Sequence, residues 1–224
     1  MKTLNRLAIA CGGTGGHFYP GLTVAMEFKN SGGIPLLILS GKYSEEQKII
    51  TAEKSIDAEI IPSPPAPKGI LEKLDYSKVC ALNIMKTIKI FSSFKPDALL
   101  VIGSYTSISA GIASTISKIP MIIHEGNALA GKANIFLSRF ATKMALSFPA
   151  VNSQKFSCAS EITGMPVRTE IIENRKIQKI DAINQINSIY GTDLDASAAT
   201  IFVFGGSQGA MKINDIIPRA FEIQ

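Results

Sequence analysis

The same local pattern occurs twice in this chain: a short apolar strand, then a glycine-rich turn, then a helix. The first copy joins Leu7-Ala8-Ile9-Ala10 to Gly12-Gly13-Thr14-Gly15-Gly16-His17, and the second joins Ile201-Phe202-Val203-Phe204 to Gly205-Gly206-Ser207-Gln208-Gly209. Glycine lets the backbone approach a ligand closely, and a helix N-terminus favours negative charge. The repeat therefore predicts two similar α/β domains and a ligand that carries phosphates.

Apolar runs alternate with helical patterns after the first turn. We expect strands at 36–39, 58–61, 98–102, 121–124 and 143–146, and helices near 20–30, 45–51, 77–94, 106–118 and 131–140. In the helix at 77–94, an apolar stripe is predicted to face the core, and it consists of Ala81, Ile84, Met85, Ile88 and Phe91. Strands that alternate with helices predict a parallel sheet covered on both faces, with ligands at the carboxyl ends of the strands.

The chain is predicted to divide at a natural break, Thr163-Gly164-Met165-Pro166. Residues 1–163 would form the first domain, and 164–224 a linker and the beginning of a second. This second part is shorter than a typical domain of about 100–150 residues, and a parallel sheet cannot be built from its one predicted strand. We therefore expect a truncated second domain.

Composition excludes several classes of protein. A net charge of +5 over 224 residues, without blocks of Lys or Arg, does not favour nucleic-acid binding. The longest apolar runs, such as Ala98 to Ile102, are far shorter than the ~20 residues that span a bilayer. The cysteines, Cys11, Cys80 and Cys158, are widely separated, which is typical of structural thiols in a reducing compartment. We expect a cytoplasmic location.

Two nucleotide-binding motifs are approached but not completed. A dinucleotide fingerprint would need a third glycine where Phe18 stands. The stretch from Gly126 to Ala133 matches a phosphate-binding P-loop except at its last position, where Ala133 replaces the hydroxyl residue that binds magnesium. A P-loop-like nucleotide hydrolase is therefore the weaker alternative.

Chemically capable side chains follow the predicted strands, namely His17, Ser104, Tyr105, Glu125, Asn127 and Ser207. His17 directly follows the glycines at a helix start, where a packed core would not require it, and a functional role is favoured. His124 is equally consistent with a structural and a functional role. Glu125 could act as a general base or orient a neighbour through its carboxylate. No close ligand spacing indicates zinc.

Four motifs in order resemble the MurG family of peptidoglycan glycosyltransferases. They are Gly12 to Leu22, His124-Glu125-Gly126-Asn127, Thr163-Gly164-Met165-Pro166-Val167-Arg168, and Gly205-Gly206-Ser207-Gln208-Gly209-Ala210. The resemblance implies the glycosyltransferase-B architecture, with two Rossmann-like domains. It also implies an inverting transfer of N-acetylglucosamine from UDP-N-acetylglucosamine to the 4-hydroxyl of undecaprenyl-pyrophosphoryl-MurNAc-pentapeptide, which converts lipid I to lipid II.

The resemblance also assigns roles to residues. Thr14, Gly15, Gly16, Asn127, Arg168 and Ser207 would contact the UDP-sugar, and Gly13, Ser104 and Tyr105 the acceptor. His17, then Glu125, are the candidates for the catalytic base. The reaction would need no metal and no cofactor. Two positions depart from the family pattern: Gly126 replaces a glutamine-type residue, and Ser104 replaces the second glycine of a Gly-Gly-Tyr loop.

The resemblance further implies a position on the inner face of the bacterial cell membrane. We expect peripheral attachment through the apolar and basic stretch from Lys68 to Leu74. The family's uracil and ribose contacts would lie beyond Gln224, so this chain alone is expected to bind UDP-sugar poorly. A remnant that keeps the acceptor fold without donor chemistry is the alternative.

Overall fold

The computed structural model describes residues 4–41, 43–62, 70–103, 107–205 and 210–222. Its central element is a seven-stranded sheet in which every neighbouring pair is parallel. The strands are β1 (Arg6–Gly12), β2 (Ile34–Ser40), β3 (Asp57–Ile61), β4 (Ala98–Val101), β5 (Met121–Glu125), β6 (Lys143–Leu146) and β7 (Ala159–Ile162). The predicted parallel α/β fold is confirmed.

The order of the strands fixes where a ligand binds. The sheet runs β3-β2-β1-β4-β5-β6-β7, so the chain reverses its direction of growth between β1 and β4. In such doubly wound sheets, a crevice opens at the carboxyl ends of the two strands that flank the reversal. That point is occupied by the first glycine turn, after β1, and by Gly103, after β4.

Helices cover both faces of the sheet and enclose two apolar cores. The helices are α1 (Gly15–Asn30), α2 (Ser44–Glu53), α3 (Ile70–Phe94), α4 (Ile108–Ile116) and α5 (Lys132–Leu137). One core contains Ile9, Phe18, Leu22, Leu37 and Leu39, and the other contains Leu99, Ile123, Leu137 and Met144. The near-continuous apolar strands follow from burial on both faces. None of the helices in the described ranges has both the length and the apolar character needed to cross a bilayer.

Helix α1 begins earlier than the sequence predicts. Its first residue is Gly15 rather than Pro20, because the carbonyl of Thr14 accepts hydrogen bonds from the N–H groups of His17 and Phe18 at 3.1 Å each. The predicted place of Pro20 in the first turn is therefore wrong: it lies inside the helix, where its nitrogen has no hydrogen to donate. As a result, Gly15, Gly16 and His17 belong to the first turn of α1.

The predicted apolar stripe on α3 is only partly correct. Ile84, Ile88 and Phe91 pack against the core, but Ala81 is exposed and Met85 is 68% exposed. The helix instead buries two polar side chains: Asn83 donates to the carbonyl of Pro62 at 2.6 Å, and Thr87 donates to the carbonyl of Asn83 at 2.8 Å. Because these bonds satisfy their polar groups, the buried face of α3 is rotated away from the stripe that hydrophobicity alone predicts.

Strand β7 was not predicted, because its four residues are exposed and show no apolar run. It pairs with β6 along the edge of the sheet, and an ion pair joins Lys143 to Glu161 across the two strands.

The chain divides into two compact units, Met1–Arg168 and Thr169–Gln224, close to the predicted division at residue 163. The second unit contains α6 (Thr169–Asn174), α7 (Lys179–Tyr190) and α8 (Met211–Glu222). The strand predicted at Ile201 to Phe204 is wrong, since these residues have no regular structure and are exposed. A β-strand needs a partner for its backbone groups, and none of the described residues of this unit forms one.

The end of β2 supports the first glycine turn through Gly41. This residue has φ +107°, and a Cβ on it would lie 2.7 Å from the Cα of Gly13. Gly32 also has a positive φ, +87°, but a Cβ there would meet no atom within 4 Å. The two positions share the backbone strain of a left-handed conformation and differ in the available space.

We predict that Gly41→Ala lowers the free energy of unfolding by about 1–3 kcal/mol more than Gly32→Ala does. Both substitutions introduce strain at positive φ, which costs roughly 1–2 kcal/mol, but only the first drives a methyl group into a backbone atom. Urea unfolding of the two variants measures the difference. Equal losses would show that the contact between Gly41 and the turn is not close.

Candidate active site

A small cavity opens at the carboxyl edge of the sheet, where the strand order reverses. Its volume is about 290 Å³, and it is lined by Thr14, Gly16, His17, Ile102, His124, Gly126, Asn127 and Met165. These residues come from the ends of β1, β4 and β5 and from the segment that follows β7. The cavity therefore lies where the parallel sheet predicts a ligand site.

His17 enters this cavity from the first turn of α1. Its ring lies beside Gly103: a Cβ there would be in ordinary contact with Cδ2 of His17, at 3.5 Å, and closer to Nδ2 of Asn134, at 3.2 Å. Nδ1 of His17 is 3.3 Å from the hydroxyl of Thr14. In the tautomer with the proton on Nδ1, Nδ1–H donates a hydrogen bond to that hydroxyl, and Nε2 is unprotonated and can accept a proton.

Burial lowers the pKa of His17 below its ordinary value, and the negative charge of Glu125 opposes that effect by favouring the protonated ring. Burial is the larger influence. The imidazole is consequently neutral near pH 7, the form that can accept a proton.

Glu125, the last residue of β5, is 2% exposed and accepts four hydrogen bonds. Oε1 accepts from the backbone N–H of Asn127 at 2.9 Å and from its side-chain amide at 3.0 Å. Oε2 accepts from the N–H of Gly131 and from the side-chain amide of Asn134, both at 2.9 Å. The carboxylate thus ties the loop after β5 to the start of α5.

These bonds argue against Glu125 as the general base, one of the two roles that the sequence leaves open. A base needs a lone pair directed at the reacting hydroxyl, and both oxygens of Glu125 are already engaged with donors of their own loop. The geometry favours the other role, in which Glu125 orients Asn127 toward the cavity.

The same bonds explain why the P-loop-like stretch does not form a phosphate cradle. In a P-loop, backbone N–H groups of the glycine-rich loop bind phosphate oxygens. Here the N–H groups of Asn127 and Gly131 bind the carboxylate of Glu125, which occupies the place of the anion. The alternative of a nucleotide hydrolase therefore receives no support from this loop.

Asn152 holds the loop from its other side. Its side chain accepts from the N–H of Ala130 at 2.9 Å and donates to the carbonyl of the same residue at 3.1 Å. The N–H of Val151 also donates to the carbonyl of Ala128 at 2.9 Å. The loop that presents Asn127 is therefore fixed at both ends and in the middle.

His124 is buried, lines the cavity and contacts the segment 163–168. Its Nε2 is 3.3 Å from the carbonyl of Gly164 and 3.2 Å from the hydroxyl of Ser147. Nδ1 is buried and has no hydrogen-bond partner among the described residues. Burial lowers the pKa of His124, which keeps the ring neutral. We therefore assign His124 a structural role.

The segment 163–168 crosses the carboxyl edge of the sheet. The N–H groups of Thr163 and Gly164 both donate to the carbonyl of Leu146, at 2.9 and 3.2 Å. Farther along, the terminal methyl of Met165 lies 3.1 Å from the place of a Cβ on Gly126. Cζ of Arg168 stands 4.8 Å from the centre of the Tyr19 ring, in a cation–π contact beside the start of α1.

Of the predicted site residues, Thr14, Gly16, His17 and Asn127 line the cavity together. Gly13 and Gly15 lie in the same turn, whereas Arg168 is on the Tyr19 ring and does not line the cavity. Ser104, Tyr105 and Ser207 lie outside the described residues. Across the described ranges, no group of three or more His, Cys, Asp or Glu side chains could hold a metal ion.

Sequence reasoning missed the residues that support the site: Asn134, Ser147 and Asn152. They are polar side chains buried against β5 and its loop. The one signal available was an asparagine, Asn134, on the buried face of a predicted helix, where an amide needs partners.

Comparison with known proteins gives a consistent result. Residues 7–146 match the glycosyltransferase family 28 N-terminal domain. Two relatives carry the name UDP-N-acetylglucosamine--N-acetylmuramyl-(pentapeptide) pyrophosphoryl-undecaprenol N-acetylglucosamine transferase. The protein from Pediococcus pentosaceus is 32% identical over 94% of this chain, and that from Francisella tularensis is 34% identical over 96%.

Among solved structures, Acinetobacter baumannii MurG is similar, with a TM-score of 0.61 and 23% identity over 77% of this chain and 49% of that one. This likeness concerns the fold. The chain spans 56% of the length of each of the two relatives. Because the family match covers more than half of the chain, the chain belongs to glycosyltransferase family 28 and carries its N-terminal domain.

Proposed function

We propose that this chain takes part in the transfer of N-acetylglucosamine from UDP-N-acetylglucosamine to the 4-hydroxyl of the muramyl sugar of lipid I, giving lipid II. The observation that carries the proposal is the placement of His17, with its neutral ring, in a cavity at the reversal of the strand order. The names of the relatives supply the substrates, and membership of glycosyltransferase family 28 supplies the class of reaction.

The proposed chemistry is a single displacement with inversion. Nε2 of His17 takes the proton from the muramyl 4-hydroxyl, whose oxygen forms a bond to the anomeric carbon of N-acetylglucosamine. The bond from that carbon to the UDP oxygen breaks, and UDP leaves with the electron pair. Thr14 supports the step by holding Nδ1 of His17, which keeps the lone pair of Nε2 available.

We further propose that the remaining residues of the site bind substrate. Asn127, whose orientation is set by Glu125, would contact the UDP-sugar with Thr14, Gly15, Gly16, Arg168 and Ser207. Gly13, Ser104 and Tyr105 would contact the acceptor. The first N–H groups of α1 have no acceptor within the helix and carry partial positive charge, which suits a diphosphate.

A transfer assay with UDP-N-acetylglucosamine and a lipid I analogue tests the function. We expect His17→Gln to lower kcat by about 10²–10⁴-fold, the usual contribution of a general base. Activity of the unsubstituted protein should fall as pH decreases through the pKa of His17, which burial holds below its ordinary value, because the protonated ring accepts no proton. Thr14→Val should lower kcat less. An acid decline that persists in His17→Gln would contradict the assignment of His17 as the base. If the unsubstituted protein binds lipid I but forms no product, the alternative of a remnant without donor chemistry would be favoured.

Glu125→Gln should separate positioning from base catalysis. The substitution replaces one acceptor oxygen with an NH₂ group that faces other donors, and we expect a loss of about 2–4 kcal/mol in the free energy of unfolding. kcat should fall as Asn127 loses its orientation. The acid decline of the pH profile should remain but move to lower pH, because the charge of Glu125 no longer favours the protonated ring of His17. Glu161→Gln, on an exposed carboxylate paired with Lys143, is the control and should change neither quantity measurably. If the acid decline disappears in Glu125→Gln, Glu125 is the base.

We also propose that the first unit attaches peripherally to the inner face of the membrane. The side chains of the stretch from Lys68 to Leu74 lie outside the described part of the chain. Farther along α3, Leu82 and Met85 are 64% and 68% exposed, and Lys89 is exposed beside them. Apolar side chains with neighbouring cations are typical of surfaces that bind anionic lipid.

Substitution of Leu82 and Met85 by Ser is expected to weaken sedimentation with phosphatidylglycerol vesicles several-fold, and replacement of Ile70, Leu71 and Leu74 by Ser to weaken it further. Ile116→Ser is the control, because Ile116 is an equally exposed apolar residue on α4. Binding that is unchanged in both variants, or equally weakened in the control, would contradict the proposal.

A further inference from the structure

A buried glutamine of α2 reaches back into the first glycine turn. Gln47 is 5% exposed, and its Nε2 donates a hydrogen bond to the carbonyl of Gly13 at 3.3 Å. Its Oε1 is buried and has no hydrogen-bond partner within the described ranges. A buried acceptor without a partner is unfavourable. The hydrogen bond from Nε2 to Gly13 is therefore the favourable contact of the Gln47 amide group.

The first glycine turn is closely packed at Gly12 and open at Gly13. A Cβ on Gly12 would lie 2.6 Å from the carbonyl oxygen of Ser40 and 3.3 Å from Oε1 of Gln47. In contrast, a Cβ on Gly13 would meet no atom within 4 Å. Gly13 has φ +78° and no side chain. The peptide between Gly13 and Thr14 can therefore rotate unless another group holds the carbonyl of Gly13.

The bond from Gln47 fixes that peptide plane. No cis peptide bond occurs in the described residues, and in a trans peptide the C=O and N–H point in opposite directions. Because the carbonyl of Gly13 accepts from Gln47 on α2, the N–H of Thr14 points away from Gln47. Thr14 itself lines the cavity together with His17.

We propose that Gln47 is a positioning residue, which holds the N–H of Thr14 toward a diphosphate bound at the first glycine turn. The inference rests on the proposed function, since it assumes that this turn receives the diphosphate of a substrate. Gln47 touches no substrate itself. It acts by selecting one of two orientations of the Gly13–Thr14 peptide, and the selected orientation adds a donor to those at the start of α1.

Titration of the 224-residue chain with inorganic pyrophosphate, followed by the amide resonances of the turn, tests this role. We expect Gln47→Leu to weaken binding by about 10-fold, the loss of one hydrogen bond to a charged group, and to abolish the response of the Thr14 amide. Thr51→Val is the matched control. Thr51 lies one turn along α2 and donates to the carbonyl of Gln47 at 2.6 Å, so its loss perturbs the same helix without touching the turn. Gln47→Met serves if the leucine variant does not fold.

Each outcome decides between the alternatives. The role would be supported if Gln47→Leu binds pyrophosphate more weakly and its Thr14 amide resonance does not shift, while Thr51→Val binds and shifts as the unsubstituted chain does. Unchanged binding in Gln47→Leu, or equal weakening in both variants, would overturn it and leave the proposed function intact. If pyrophosphate does not shift the Thr14 amide in the unsubstituted chain, the turn does not bind a diphosphate, and the part of the proposed function that places a substrate diphosphate at this turn fails with it.

Discussion

The buried carboxylate of Glu125 is the interaction on which the arrangement of the site depends. A carboxylate removed from water is tolerated only when hydrogen-bond donors surround it, and all four donors come from the stretch between Asn127 and Asn134. Satisfying this one group therefore fixes the loop after β5, the first turn of α5 and the side-chain amide of Asn127. The loop is thus held by hydrogen bonds to a carboxylate inside the protein.

The two glycine-rich loops of the first unit consequently have different roles. In the loop after β5, backbone N–H groups that could bind an external anion are bound to Glu125. In the loop after β1, the first N–H groups of α1 have no acceptor within the helix. The negative charge of Glu125 also favours a proton on His17, while burial disfavours it more strongly. One carboxylate thus engages the N–H groups of the β5 loop and limits how far the pKa of His17 falls.

The sequence predicts the strands of the first unit well, because apolar runs buried on both faces have no other stable environment. Prediction from the sequence fails where the structure of a segment depends on contacts with another segment. Ile201 to Phe204 has the composition of a strand but pairs with none of the described residues. Met85 has the spacing of a core residue, but the hydrogen bonds of Asn83 and Thr87 select another face of α3. The sequence indicates that the amide of Asn134 needs a partner but not which one, since the partner is a carboxylate nine residues away in sequence.

The glycine at position 126 lies in a contact that the family pattern alone does not indicate. Resemblance leads to the expectation of a glutamine-type side chain there, yet the methyl of Met165 lies 3.1 Å from the place of a Cβ on Gly126. A Cβ at position 126 would require the flexible end of Met165 to shift by a few tenths of an ångström. The sulfur of Met165 also accepts a contact from the hydroxyl of Ser147 at 3.7 Å. Ser147 in turn contacts His124, which holds the carbonyl of Gly164. Gly126 therefore packs against the side chain of Met165, and a side chain at position 126 would act first on that methionine.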